Sequence, residues 1–213
     1  MAWTNPSTHN IADFYSFVLS QGVPSADLPS GALTASIDTS GNLTATGVSG
    51  TISVGMVIVG EGIADNTYIL TWNGTTGTVS QAPGTALTAV SSQTFSQYAW
   101  WAFSYAFATC LCSDESLLYV LAVYNLGMHK LLKLAQDIQG QTYFQAMRTS
   151  SKLVSFTPGV MANAGDEATS AGLVVSEFFK GLLVNDLDLI KTPWGLEYLN
   201  YKQSYGPYPV VMA

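Results

Sequence analysis

The sequence predicts an α+β chain: a helical, bundle-like part carrying an inserted small all-β sandwich or barrel module. Three observations predict it. Residues 98–137, YAWWAFSYAFATCLC followed by SDESLLYVLAVYNLGMHKLLKLAQD, read as two helices joined at Ser113. Residues 31–95 consist mainly of Thr, Ser, Gly, Val and Ile and hold no Lys, Arg or His. Residues 96–213 then return to helical spacing. The expected layout is a helical domain of residues 1–30 and 96–213, ending in an extended C-terminal arm, with a β-module at 31–95.

The chain opens on a polar arm, MAWTNPSTHN, with no basic residue before an apolar core, so it does not read as a signal peptide. Trp3 on that arm is either an anchor for a neighbour's pocket or a ring folded back on its own core. Ile11 to Gln21 reads as a short helix: Ile11, Phe14, Tyr15, Val18 and Leu19 recur on one face, and Asn10 suits the cap. Gly22, Pro24 and Pro29 end it.

Within 31–95, strand-like patterning is read in Leu43–Thr46, Met56–Val59 and Thr67–Trp72. Glycines cut the stretch into short strands, and Asn73-Gly74 is a hairpin turn signal. Val54, Met56, Ile58, Ile63, Tyr68, Ile69 and Trp72 supply a core that a disordered tract lacks.

The first helix of the central pair is apolar on nearly every face, with Trp100, Trp101, Phe103, Tyr105 and Phe107, and such a helix is expected to be buried. The second has Ser113 as a cap, Asp114 and Glu115 in its first turn, and Leu117, Leu121, Tyr124, Met128, Leu131 and Ala135 as a stripe. Lys130 and Lys133 near its end suit the helix dipole. Beyond it, Gln141–Lys152 and Ala168–Leu183 read as helices, the latter started by Asp166-Glu167. Val154–Gly159 reads as an extended loop, and Asp186–Ile190 as a short helix stopping before Pro193. From Tyr198 the Tyr- and Pro-rich end reads as an extended tail, either docked on a neighbour or tied to its own domain.

Charge is scarce and uneven. Hydrophobic residues make up 48% of the chain and charged residues 10%, where an ordinary domain carries about 25% charged. So little charge implies that a membrane or partners cover part of the surface. A spanning helix needs about 20 apolar residues, and the best run, Tyr98–Cys112, is shorter and interrupted by Ser104 and Thr109. Protein partners are therefore expected rather than a membrane. Every Lys and Arg follows His129, so the formal net charge of -7 belongs to the first part. No basic patch for gripping nucleic acid is apparent, although an acidic wall beside passing DNA is compatible with the sequence.

One stretch resembles a known module. GTISVGMVIVGEGIADNTYI from Gly50, followed by GTTGTVS from Gly74, is similar to a β-module recurrent in virion proteins of tailed bacteriophages. The similarity covers roughly residues 46–92 and departs at its end, where the last strand is shortened to Gly77–Ser80. In that family the module is surface decoration or an interaction domain, with no shared active site. The resemblance implies a virion part without saying which.

Chemistry-bearing patterns are few. There is no G-x-S-x-G elbow and no Gly-Lys-Ser/Thr loop. Gly60-Glu-Gly62 begins like a dinucleotide turn but lacks the last glycine and a helix behind it. Cys110 and Cys112, on different faces of a predicted helix, read as buried thiols rather than a disulfide or metal site. His129 reads as a structural histidine. The pairs Asp114/Glu115 and Asp166/Glu167 fit helix starts. Asp186/Asp188 would share one face of an extended segment, where a divalent cation lacks the further ligands it needs. No catalytic residue, metal ligand or cofactor is expected, and the chain does not read as an enzyme.

The functional expectation is a structural protein of a tailed-phage particle, found in the virion and in host cytoplasm during assembly. Within that class the helical frame, tail and acidic first part favour a portal-associated head-to-tail (neck) adaptor, assembled as a ring with portal, tail or nozzle proteins. The alternatives are a capsid decoration or tail/spike-attachment protein, or a carbohydrate-binding surface module in which Trp72 and Tyr68 stack on a sugar. A wall-degrading hydrolase ranks last. The expected subunit-interface residues are Trp3, Trp100, Trp101, Tyr201, Tyr205, Pro207, Tyr208 and Pro209.

Overall fold

The computed structural model describes residues 8–112, 118–137, 140, 142–153, 163–165, 170–172 and 186–205. Helix α1 (Ile11–Ser20) precedes six strands: β1 (Ser30–Ile37), β2 (Asn42–Gly50), β3 (Val57–Gly60), β4 (Ile69–Trp72), β5 (Thr76–Val79) and β6 (Leu87–Phe95). Helices α2 (Gln97–Thr109), α3 (Tyr119–Leu134) and α4 (Tyr143–Ser150) follow. A two-stranded pair, β7 (Asn163–Gly165) and β8 (Ser170–Gly172), and a 3-10 turn at Leu189–Lys191 precede α5 (Pro193–Tyr205).

The chain is α+β, but it is not a helical bundle with an inserted sandwich. The six strands form one antiparallel sheet in the order β3-β6-β1-β2-β5-β4. Register shifts at Thr34/Ala35, Ala35/Ile37 and Ile69/Thr71 add local twist. The sheet therefore curls into a half-barrel around its own core instead of stacking on a second sheet. A single bridge, Val57 to Tyr68, ties its two edges at one corner. Leu33, Ala35 and Ile37 alternate inward along β1 and meet Leu43, Ile58 and Val79. Asn73 closes the β4–β5 turn: its Oδ1 accepts from the N–H groups of Thr75 (3.2 Å) and Thr76 (2.8 Å), with Gly74 at φ +103°.

The helices do not form a separate bundle either, because the near end of the sheet enters their core. Phe95, Leu28 and the half-buried Val59 belong to the same apolar cluster as Phe14, Phe103 and Tyr124. The rings of Tyr15 and Phe95 lie 5.5 Å apart. Helix α3 is the axis of this cluster, buried from Ala122 to His129. Helix α1 reaches it closely because residue 127 is glycine; a Cβ there would meet Phe14 Cε2 at 2.7 Å. The predicted cap of α1 forms, with Asn10 Oδ1 accepting from Asp13 N–H at 2.8 Å. Arg148 of α4 donates to Leu132 and Ala135 carbonyls, both at 2.7 Å, and so satisfies the C-terminal end of α3.

Four further expectations need correction. Helix α2 is not buried all round: Ala99, Ala102, Phe103 and Ala106 face the core, while Trp101, Tyr105 and Phe107 are exposed. It stops at Thr109, so Cys110 and Cys112 are not helical. Where a helix was expected from Ala168, residues 170–172 form β8, paired antiparallel with β7, so tertiary pairing overrides the local helix preference of the alanines there. The rest of that expected helix, with Asp166 and Glu167, lies outside the described residues, as do Ser113–Leu117 and the loop at 154–159. Finally, Tyr198–Tyr205 is not an extended tail but part of α5. Pro193 suits the first helical position, and Thr192 Oγ1 caps the helix by accepting from Gly195 N–H at 3.0 Å.

Candidate functional site: an exposed aromatic face

Residues 98, 101 and 105 recur at three- and four-residue spacing and therefore share one face of α2. The alanines at 99, 102 and 106 make the opposite face, flat enough for close packing on α3. Trp101 is 43% exposed and Tyr105 49% exposed. The Tyr98 and Trp101 rings meet edge-on, with centroids 5.8 Å apart. Lys130 of α3 places its ammonium 4.6 Å from the centroid of the Tyr105 ring, a cation–π distance. Burial, reinforced by Lys133, pulls the Lys130 pKa below its usual value, against the opposing pull of Asp188. Leu134, one turn further along α3, is exposed beside this group. Three rings, an aliphatic side chain and a half-buried cation thus form one surface.

The expected interface residues fare unequally. Trp101 lies at the centre of this face. Trp100 is turned the other way, half-buried against the helical core, with its ring 6.4 Å from that of Phe103. Tyr201 is half-buried against the same core, and Tyr205 ends α5. Trp3, Pro207, Tyr208 and Pro209 lie outside the described residues. Sequence reasoning missed Tyr105, Lys130 and Leu134 as surface groups; Tyr98, at the edge of the face, is half-buried against the helical core. The signal was present in the alternation of aromatic and alanine positions along α2.

Of the titratable groups singled out in the sequence, His129, Asp186 and Asp188 are engaged within the fold. His129 is fully buried, with Nδ1 2.8 Å from Thr192 Oγ1 and Nε2 without a hydrogen-bond partner. Burial first, then Lys130 and Lys133, lower its pKa to about 4. Asp186 is buried and accepts from Lys202 Nζ at 2.9 and 3.1 Å. Asp188 pairs with Lys133 and, at 3.5 Å, with Lys191. Burial raises the Asp188 pKa, but these lysines outweigh it and the net shift is downward. Among the described residues no cluster of three His, Cys, Asp or Glu side chains forms a metal-binding group.

Cys110 and Cys112 are free thiols that touch each other, contrary to the helical-face expectation. Their hydrogen bond pulls Cys110 below the usual thiol range; together with burial it pushes Cys112 up. The intervening Leu111 N–H donates to Tyr198 Oη at 3.1 Å and anchors the turn on α5. Trp72, a candidate sugar platform, is half-buried and packs against the sheet core. Asn73, beside it, spends its side chain on its own turn.

No described helix is long and apolar enough to cross a membrane. No protein-family model, curated protein or solved structure matches the chain.

Proposed function

We propose that the chain is a non-catalytic structural subunit of a tailed-phage particle, a portal-associated head-to-tail adaptor that assembles as a ring of its own copies. The observation that carries the assembly reading is the aromatic face of α2: Trp101 and Tyr105 stand exposed on a chain with only 10% charged residues. Exposed aromatic side chains are enriched in interface cores relative to free surface. The phage reading rests on the resemblance of the run from Gly50 to Ile69 to a virion β-module. The neck position is an analogy from the helical frame.

Sedimentation of the purified chain, with and without the portal protein of the same particle, tests this. A defined oligomer that joins the portal is expected. A monomer at high concentration that associates with no virion protein would overturn the proposal. Electron microscopy of the particle with a labelled subunit separates the neck from the capsid surface and the tail spike.

A further inference from the structure

The far end of the half-barrel is the chemical complement of the α2 face. β1 runs eight residues from Ser30, at the helices, to Ile37, a span of about 25 Å. At that far end Ile37, Ile63 and Leu87, with Ala82, Pro83 and the polar Gln81, line a pit of about 220 Å³. For comparison, an engineered apolar cavity of about 150 Å³ accepts benzene. Three exposed acidic residues adjoin the pit lining along the chain, Asp38 with its carboxylate accepting from Ser40 and Asn42. Asp38 follows Ile37, Glu61 adjoins Gly62 of the lining, and Asp65 accepts from Gln81 at its carbonyl. They are the only charged residues between Leu28 and Ser113. The α2 face offers the converse: exposed rings and a cation, Lys130, that no salt bridge reaches among the described residues.

We propose that these two surfaces bind each other between copies of the chain: Trp101 of one copy enters the Ile37–Ile63–Leu87 pit of the next, and Lys130 meets the Asp38, Glu61 and Asp65 carboxylates. The occupant is a second copy because one chain carries both halves of the match, apolar against apolar and positive against negative, on different ends. Such a contact is heterologous. It leaves each copy with one free end and propagates until it closes into a ring. The inference rests on the proposed ring assembly and names the surfaces that build it.

The test uses the full chain with a photo-crosslinking phenylalanine analogue at position 101, analysed by peptide mass spectrometry, alongside sedimentation of charge variants. Crosslinks to residues 61–65 or 81–87 of another copy are expected. Lys130→Glu should weaken association at least about tenfold, and combining it with Glu61→Lys should restore it. Helical circular dichroism checks that each variant is folded. Crosslinks mapping elsewhere, or a Lys130→Glu variant that associates like the parent, would sink this contact while leaving the ring intact. A parent chain that stays monomeric overturns both the contact and the assembly reading.

Discussion

Thr192 Oγ1 lies 2.8 Å from His129 Nδ1 and 3.0 Å from Gly195 N, so one buried hydroxyl both caps α5 and holds the only histidine of α3. With the Gly195 amide donating to it, the hydroxyl proton is free to point at Nδ1. That arrangement puts the imidazole proton on Nε2, leaving one orphaned donor. The opposite tautomer would orphan the Thr192 proton and the Nε2 lone pair together.

Thr192→Val keeps the shape but removes both bonds. It is expected to lower stability by about 1–3 kcal/mol, combining a lost cap with an unpaired buried histidine. Urea denaturation followed by circular dichroism measures this; an unchanged midpoint would show that neither bond matters to the fold.

His129 also sets a pH dependence. Its folded pKa of about 4 lies below the unfolded value of 6.5. Between these values the unfolded chain binds a proton that the folded chain refuses, so stability falls as pH falls. The stabilisation is complete above about pH 6.5, declines by up to about 1.4 kcal/mol per unit through the window, and levels off below about pH 4. Denaturation midpoints of the parent and of His129→Gln, compared across pH 4 to 7, isolate this part of the slope.

Gly127→Ala is expected to destabilise. Alanine gains about 1 kcal/mol of helix preference, but its Cβ would meet the buried Phe14 ring at 2.7 Å. Overpacking of this kind costs about 1–3 kcal/mol. A raised melting temperature would mean that α1 moves away freely.

The two thiols should differ in reactivity. Cys110 is half-buried with its pKa drawn down, whereas Cys112 is buried and pushed up. Since the thiolate is the nucleophile, iodoacetamide should label Cys110 faster by on the order of tenfold. Timed peptide mass spectrometry checks the order; equal rates would contradict the thiol–thiol hydrogen bond.

How far the helices depend on the sheet can be tested by deletion. Ser30 and Phe95 are register partners across β1 and β6, so the two connections leave the helices side by side. Replacing residues 32–93 with a short glycine linker keeps Phe95 but removes Val59 from the helical core, and is expected to preserve the helical circular dichroism signal with a lowered melting temperature. Collapse of that signal would mean that the helices need the sheet.

Much of this architecture was legible where local signals and tertiary contacts agree. Asn10 announced α1, Asn73-Gly74 announced its turn, and the stripe through Tyr124, Met128 and Leu131 announced the buried side of α3. The interior strands β1 and β6 were not legible, because SGALTASI and LTAVSSQTF consist mostly of small residues that carry little apolar signal. The curl of the sheet depends on bulges that pairing creates. Helix α5 was hidden because Thr192-Pro193 reads as a stop when it is also an N-cap followed by its preferred first residue. For the interface face, apolarity on every side of α2 suggested burial. Only packing shows that its alanines and Phe103, rather than Trp101, Tyr105 and Phe107, take the inner position.

Between β6 and α2 there is one residue, Ser96, and its carbonyl already accepts the first helical hydrogen bond, from Trp100 N–H at 3.1 Å. Strand and helix are thus welded with no slack to absorb torque. In the proposed ring, a push on the remote tip of the sheet would tilt α2 like the short arm of a lever, and a load arriving at the carboxylate-bearing end would pass to the aromatic flank.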